Sequence, residues 1–226
     1  MNRDLPDRIH LIPNGAFDRE NYGSTYLIEA DELVLVDPGP SSSFPRLSKW
    51  FERSNLSLSR LKHVLLTHIH LDHAGAAGQL ADEISGIRVY VHESGKPHLV
   101  DPTDLLASVR EATGDRFRKY GTLKPVQGEK IVTFGSRSDF SAGSRDFVVE
   151  PTPGHAPHHV VYQDRDTGAV FVGDGAGNLF DGNLIPATPP PSFDLEKSLA
   201  SLARIAELSP SVLLYSHFGP GYNPDK

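Results

Sequence analysis

The stretch Thr67-His68-Ile69-His70-Leu71-Asp72-His73-Ala74-Gly75 follows directly on the apolar run at residues 63–66. The run reads as a short buried strand and the stretch as a polar loop breaking off its end. Four potential metal ligands fall within six residues. On an extended loop His68 and His70 point the same way, as residues i and i+2 do in a strand. Asp72 and His73 follow a turn and can face a second point a few Å away. Imidazole nitrogen and carboxylate oxygen are the donors that zinc accepts. A solvated or hydrogen-bonded polar cluster is the alternative, but it does not account for this ligand density at a strand end.

A metal centre needs more ligands than one loop supplies, and three further segments offer them. Thr152-Pro153-Gly154-His155 follows a strand at residues 146–150. Gly173-Asp174-Gly175 follows one at 169–173, and Ser216-His217-Phe218-Gly219 follows one at 212–215. Each polar residue sits at a strand end close to a glycine, which lets the backbone turn sharply or approach a ligand closely.

Outward from these segments the chain alternates short strands and helices. Residues 9–12 read as an edge strand, and residues 24–29 and 33–36 as a hairpin around Ala30-Asp31-Glu32. Residues 44–54 carry Phe44, Leu47, Trp50 and Phe51 on one helical face. A helix at 76–84 and a strand at 87–92 come next, then a charged helical stretch at 101–120. Residues 128–134 read as a strand. Residues 160–163 pair with 169–173 across a hairpin turn, and residues 183–192 read as a proline-rich ordered loop. Asp194 suits the N-cap of a helix running to Leu208. The pattern predicts an α/β (α+β) fold, with two sheets face to face and helices outside. It is read as a single domain over residues 1–226, with a helical insertion at about residues 97–124.

The bulk composition narrows the function. The chain has 226 residues and no cysteine, which excludes disulfides, thiolate zinc sites and cysteine nucleophiles. Its net charge of −7 argues against a broad nucleic-acid-binding surface. No stretch approaches the ~20 apolar residues that span a bilayer. The N-terminus lacks a signal-peptide core. The expectation is a soluble, cytoplasmic protein acting on a small molecule, with no nucleic-acid or membrane partner. The chain ends nine residues after His217, which suggests a truncated version of a longer protein.

The order of these elements resembles the metallo-β-lactamase fold superfamily across nearly the whole chain. The H-x-H-x-D-H loop at 68–73 comes first, then His155, then Asp174 after a glycine, and His217 near the end. The resemblance implies a four-layer αβ/βα sandwich of two mixed sheets with the metals at one edge. It places His68, His70 and His155 on a first metal, and Asp72, His73 and His217 on a second. Asp174 would bridge them, and Asp72 and Asp174 are the expected catalytic residues. The cofactors implied are two zinc ions, with iron or manganese suiting the same ligands. Two such cations share a bridging water and lower its pKa toward neutrality, giving a hydroxide nucleophile.

Asp37, ending the strand at 33–36, is the expected acceptor that orients a ligand histidine. His159, four residues after His155, is read as a buried hydrogen-bonded residue. His92 is read as a strand-end hydrogen-bonder and His98 as a surface residue, while the role of His158 is open. His10 and His63 are read as structural. Tyr22, Tyr120 and Phe180 are read as packing residues, with a pocket role as the alternative.

Within the superfamily, the lack of cysteine removes the β-lactamase types that use it. Asp174 points to the branch resembling glyoxalase II and lactonases, although the helical C-terminal domain of glyoxalase II and its glutathione-gripping basic residues are missing. The expected activity is therefore hydrolysis of a small thioester, lactone or related ester by a dinuclear metal centre. The alternatives are a mononuclear iron persulfide dioxygenase-like enzyme and a non-catalytic binding scaffold.

Overall fold

A computed structural model describes residues 5–189 and 191–221. The first sheet holds β1 (Ile9–Pro13), β2 (Ser24–Ile28), β3 (Leu33–Val36), β4 (Leu61–Leu65), β5 (Arg88–His92) and β6 (Ile131–Phe134), in that spatial order. β1, β2 and β3 pair antiparallel, and the pairings from β3 through β6 are parallel. The second sheet holds β7 (Ser138–Ala142), β8 (Arg145–Pro151), β9 (Val160–Asp164), β10 (Ala169–Gly173), β13 (Val212–Tyr215) and β14 (Pro220–Gly221). Its order is β14-β13-β10-β9-β8-β7, with β10 and β13 parallel. β11 (Asn178–Phe180) and β12 (Asn183–Ile185) form a separate two-stranded ribbon.

The helices are α1 (Phe44–Arg53), α2 (Leu71–Ala74), α3 (Ala77–Glu83), α4 (Lys96–Val100), α5 (Thr103–Thr113) and α6 (Leu195–Glu207). Side-chain alternation sorts the core into three interfaces, one fewer than the four layers. In β3, Leu33 and Leu35 join the cluster holding Leu47 and Phe51 of α1 and Leu80 of α3. Val34 and Val36 point to the other face and meet Phe147, Tyr162 and Phe171 of the second sheet. The outer face of the second sheet packs Val148, Val161 and Val170 against Ile205 of α6. A strand buried on both faces is apolar at every position, which is why the run at 33–36 shows no polar alternation.

Three local expectations need correction. The 67–75 segment is not wholly a loop, because α2 forms within it, with His70 at the N-cap position. Residues 183–192 are not all loop: 183–185 pair with 178–180 across a turn with Asp181 and Gly182 at positive φ, and Pro190 lies outside the described residues. β7 was not foreseen, because its polar sequence with one aromatic, Phe140, suits a sheet edge rather than a buried strand. Asp194 does cap α6, its side chain accepting from the Lys197 amide at 3.1 Å. Among the described residues no helix is long and apolar enough to cross a membrane.

Candidate metal centre

The seven sequence-predicted residues meet at one edge of the sandwich, beyond the C-terminal ends of β4, β8, β10 and β13. Loops of the two sheets are tied together there. The Val160 amide donates to the Thr67 carbonyl at 2.8 Å, and the Ser24 amide to the Ser216 carbonyl at 2.8 Å. α2 turns the chain back after His70. Gly75 lets that turn lie against the loop after β3, since a Cβ there would meet the Ser41 amide at 2.7 Å.

The side chains fall into two adjoining groups. In the first, Nδ1 of His70 lies 2.9 Å from Nε2 of His68 and 3.0 Å from Nε2 of His155. In the second, Nε2 of His217 lies 3.7 Å from Oδ2 of Asp72, and Nε2 of His73 lies 4.0 Å from the same oxygen. Asp174 reaches both groups. Its Oδ2 is 3.4 Å from Nε2 of His155, and its Oδ1 is 3.3 Å from Nε2 of His217 and 3.7 Å from Nε2 of His73.

In four of the five rings the donor nitrogen is freed by what the other nitrogen does. Nδ1 of His73 donates to Asp37 Oδ2 at 3.0 Å. Nδ1 of His155 donates to the Ala187 carbonyl at 3.0 Å, and Nδ1 of His217 to the Tyr22 carbonyl at 3.3 Å. His68 is held through a relay: its Nδ1 donates to Thr67 Oγ1 at 3.1 Å, and that hydroxyl donates to Asp37 Oδ2 at 2.7 Å. In the neutral form of these four rings the Nε2 lone pair faces the centre, the tautomer a metal ligand requires.

Asp37 is the hub of this support. It is buried, at a positive φ of 47°, and also accepts from the Thr67 amide at 2.9 Å and Ser216 Oγ at 2.7 Å. Thr67 and Ser216 were not singled out from the sequence. The available signal was that each hydroxyl residue directly precedes a histidine of the centre. The Ala187 carbonyl had no such signal, since only the folded chain brings it near His155.

Electrostatics divide the histidines. Burial, then the neighbouring His73, His70 and His155, holds His68 well below the usual histidine range. Burial, then His155, lowers His70 to about 3. Both rings are therefore neutral, with lone pairs available. Burial, the largest single influence, would lower His73 and His217 as well, but Asp174 and Asp72 together outweigh it and raise both. Asp174 is itself held low: burial opposes its ionisation, but His217 and His73 more than compensate.

The residues fit metal ions. Nε2 of His73 and Oδ1 of Asp174 are buried without a hydrogen-bond partner among the described residues. A buried orphan of this kind costs about 1–3 kcal/mol, and here two face one spot. Tetrahedral donors at 2.0–2.1 Å from zinc lie ~3.3 Å apart. The spacings of 2.9–3.0 Å in the first group and 3.7–4.0 Å in the second bracket that value. Three sets could hold an ion: His68 with His70 and His155; Asp72 with His73 and His217; and His68 with His73 and Asp174.

The profile of the metallo-β-lactamase superfamily matches residues 18–217. The chain belongs to the metallo-β-lactamase superfamily. Among superfamily relatives, the metallo-β-lactamase fold-containing protein ST1585 of Sulfurisphaera tokodaii is 31% identical over 216 residues, covering 93% of this chain and 78% of the relative. Its crystal structure superposes with a TM-score of 0.80, covering 96% of this chain and 81% of that one. The hydroxyacylglutathione hydrolase of Legionella pneumophila is 29% identical over 181 residues, covering 77% of this chain and 56% of the relative. TTHA1623, solved in a di-iron-bound form, superposes with a TM-score of 0.65 at 27% identity, covering 88% of this chain and 89% of that one.

The remaining histidines lie outside the two groups. His159 is buried, its Nδ1 donating to Thr152 Oγ1 at 2.8 Å and its Nε2 accepting from the Asp174 amide at 3.2 Å. It thereby fixes the backbone that carries Asp174. Gly173 gives His159 its space: at φ 53°, a Cβ would lie 2.7 Å from Nε2 of His159 and 2.5 Å from Thr67 Oγ1. His158 stacks on His68, ring centroids 6.2 Å apart. Nδ1 of His92 bonds Ser94 at the end of β5, His98 is exposed, and His63 bonds Tyr90 and Glu32. His10 bonds Glu29 at the surface. Tyr22 packs against the centre, its ring 4.6 Å from that of His217. Phe180 stays half exposed against Phe218.

Proposed function

We propose that this chain is a dinuclear metal-dependent hydrolase of a small thioester, lactone or related ester. The observation that carries the reading is the placement of Asp174, whose two carboxylate oxygens face separate histidine groups. A single-metal enzyme has no use for the second group. The relative named hydroxyacylglutathione hydrolase supports thioesters as the first substrates to try.

His68, His70 and His155 would hold one ion, and Asp72, His73 and His217 the other, with Asp174 shared. Bound there, the ions would supply Lewis-acid polarisation of the carbonyl and a nucleophilic hydroxide at neutral pH. The chain's own part is positioning. Asp37 orients His73 directly and His68 through Thr67, and His159 holds the Asp174 backbone. Tyr22 holds His217 by its carbonyl and screens that ring from solvent. Overall, one water is consumed, the acyl–sulfur or acyl–oxygen bond breaks, and an acid leaves with a thiol or alcohol.

Elemental mass spectrometry of the purified protein tests the metal reading, and turnover of a thioester and lactone panel with and without chelator tests the chemistry. Two zinc ions per chain with chelator-sensitive turnover are expected. Two irons would keep the dinuclear reading with the metal of TTHA1623. One iron per chain with oxygen consumption on a thiol substrate would replace it with the dioxygenase reading.

A further inference from the structure

Beside the metal centre lies a cleft of about 700 Å³, walled by Phe17, Arg19, Tyr22, Arg116, Lys119 and Tyr120, with Ala112 and Thr113 at its edge. Its volume falls in the range of small-ligand sites. Its charge opposes that of the molecule. The chain carries a net −7, yet no acidic residue lines this cleft, and three cations do. Lys119 pairs with Asp18 at 3.2 Å in an exposed contact. Arg19 and Arg116 have no acidic partner among the described residues. Unpaired cations grouped in a concave wall concentrate positive potential there.

The cleft is built from two distant segments. Residues 17–22 supply one wall and the end of the helical insertion the other. The insertion is pinned in place: Ser41 Oγ and the Ser42 amide donate to the Tyr120 carbonyl at 3.1 and 3.2 Å, and Ser42 Oγ to the Lys119 carbonyl at 2.6 Å. Phe17 stands edge-on to both Tyr22, at 5.1 Å, and Tyr120, at 4.9 Å, making an aromatic floor between the cations. Tyr22 is also the wall shared with the metal centre, through His217.

We propose that this cleft receives an anionic end of the substrate, so that the enzyme cleaves a thioester or ester bearing a carboxylate or phosphate beside the scissile carbonyl. The substrate half of this statement rests on the hydrolase reading; the anion site does not. Arg19 and Arg116 grip the anion, and the aromatic floor packs the chain linking it to the reacting carbonyl.

The test uses metal-loaded protein and the double variant Arg19→Gln/Arg116→Gln, both exposed positions, with folding checked by thermal melting. Succinate and inorganic phosphate are titrated into each calorimetrically, at low and high salt. Binding weakened at least tenfold in the variant and steeply by salt is expected, and the tighter of the two anions names the group. Equal binding by parent and variant, or none by the parent, overturns the proposal. Matched succinyl and butyryl thioesters are then compared. KM for the succinyl ester should rise at least tenfold in the variant, with kcat and the butyryl reaction unchanged. An equal loss for both esters overturns the substrate assignment. If the anions bind through the arginines but neither ester is cleaved, the hydrolase reading fails and the anion site stands.

Discussion

Replacing Asp37 by asparagine removes a charge and one acceptor while keeping the shape. In the parent, Oδ2 accepts from Thr67 Oγ1, His73 Nδ1 and Ser216 Oγ, and Oδ1 from the Thr67 amide. The best amide orientation keeps its oxygen at the Oδ2 position. Its NH2 then confronts the Thr67 N–H, a buried donor–donor contact costing about 1–3 kcal/mol. The three bonds that remain lose charge assistance, worth about 1 kcal/mol each. The amide is cheaper to bury than the carboxylate, which offsets part of the loss. The net is a destabilisation of about 2–4 kcal/mol in the metal-free protein, read by urea unfolding in chelator. Metal affinity should fall about 10–100-fold, because His73 and, through Thr67, His68 lose the partner that orients them. Chelator competition measures that change. A variant unfolding within about 0.5 kcal/mol of the parent and binding metal equally tightly would refute the hub role.

Three further outcomes follow from the geometry. Asp174→Ala should lower metal content at both groups, below one ion per chain by elemental analysis; retention of one tight ion would show that the carboxylate serves one group alone. His159→Ala should cost about 2–4 kcal/mol, since it leaves a buried cavity and two unpaired partners, Thr152 Oγ1 and the Asp174 amide, while metal content stays near that of the parent; loss of one metal equivalent would make His159 a ligand. Asp174 and Asp72 together raise His73 well above the ordinary histidine range and raise His217 as well, so in the metal-free protein both rings hold protons more strongly than a free imidazole. Metal must displace those protons, so its apparent affinity should rise with pH, with binding heats that scale with buffer ionisation enthalpy. Equal heats in phosphate and Tris would contradict this.

The sequence made much of the sandwich readable because its strands are short, apolar and closed by glycine, proline or aspartate. The hairpin at residues 24–36, the face of α1 and the cap at Asp194 are local events, and local chemistry announces them. What was missed depended on distance. β7 is polar because it sits at an edge, and the β11–β12 ribbon hides inside a proline-rich stretch. The helical turn of α2 was obscured by four candidate metal ligands crowded into six residues.

The sequence by itself pointed to the seven polar residues of the centre: four by their density in the loop after the strand at 63–66, three by their place at strand ends close to a glycine, with the family resemblance joining them into one ligand set. It also determined His159 and Asp37 as supporting residues. The family resemblance already implied how these side chains divide between two groups and that Asp174 is shared; only the tertiary structure decided which nitrogen of each ring faces inward and which Asp174 oxygen lies nearest which histidine. It alone joined residues 17–22 to residues 112–120 as a cationic cleft. Contacts between segments some ninety residues apart arise from the packing of layers, and no periodicity along the chain encodes them.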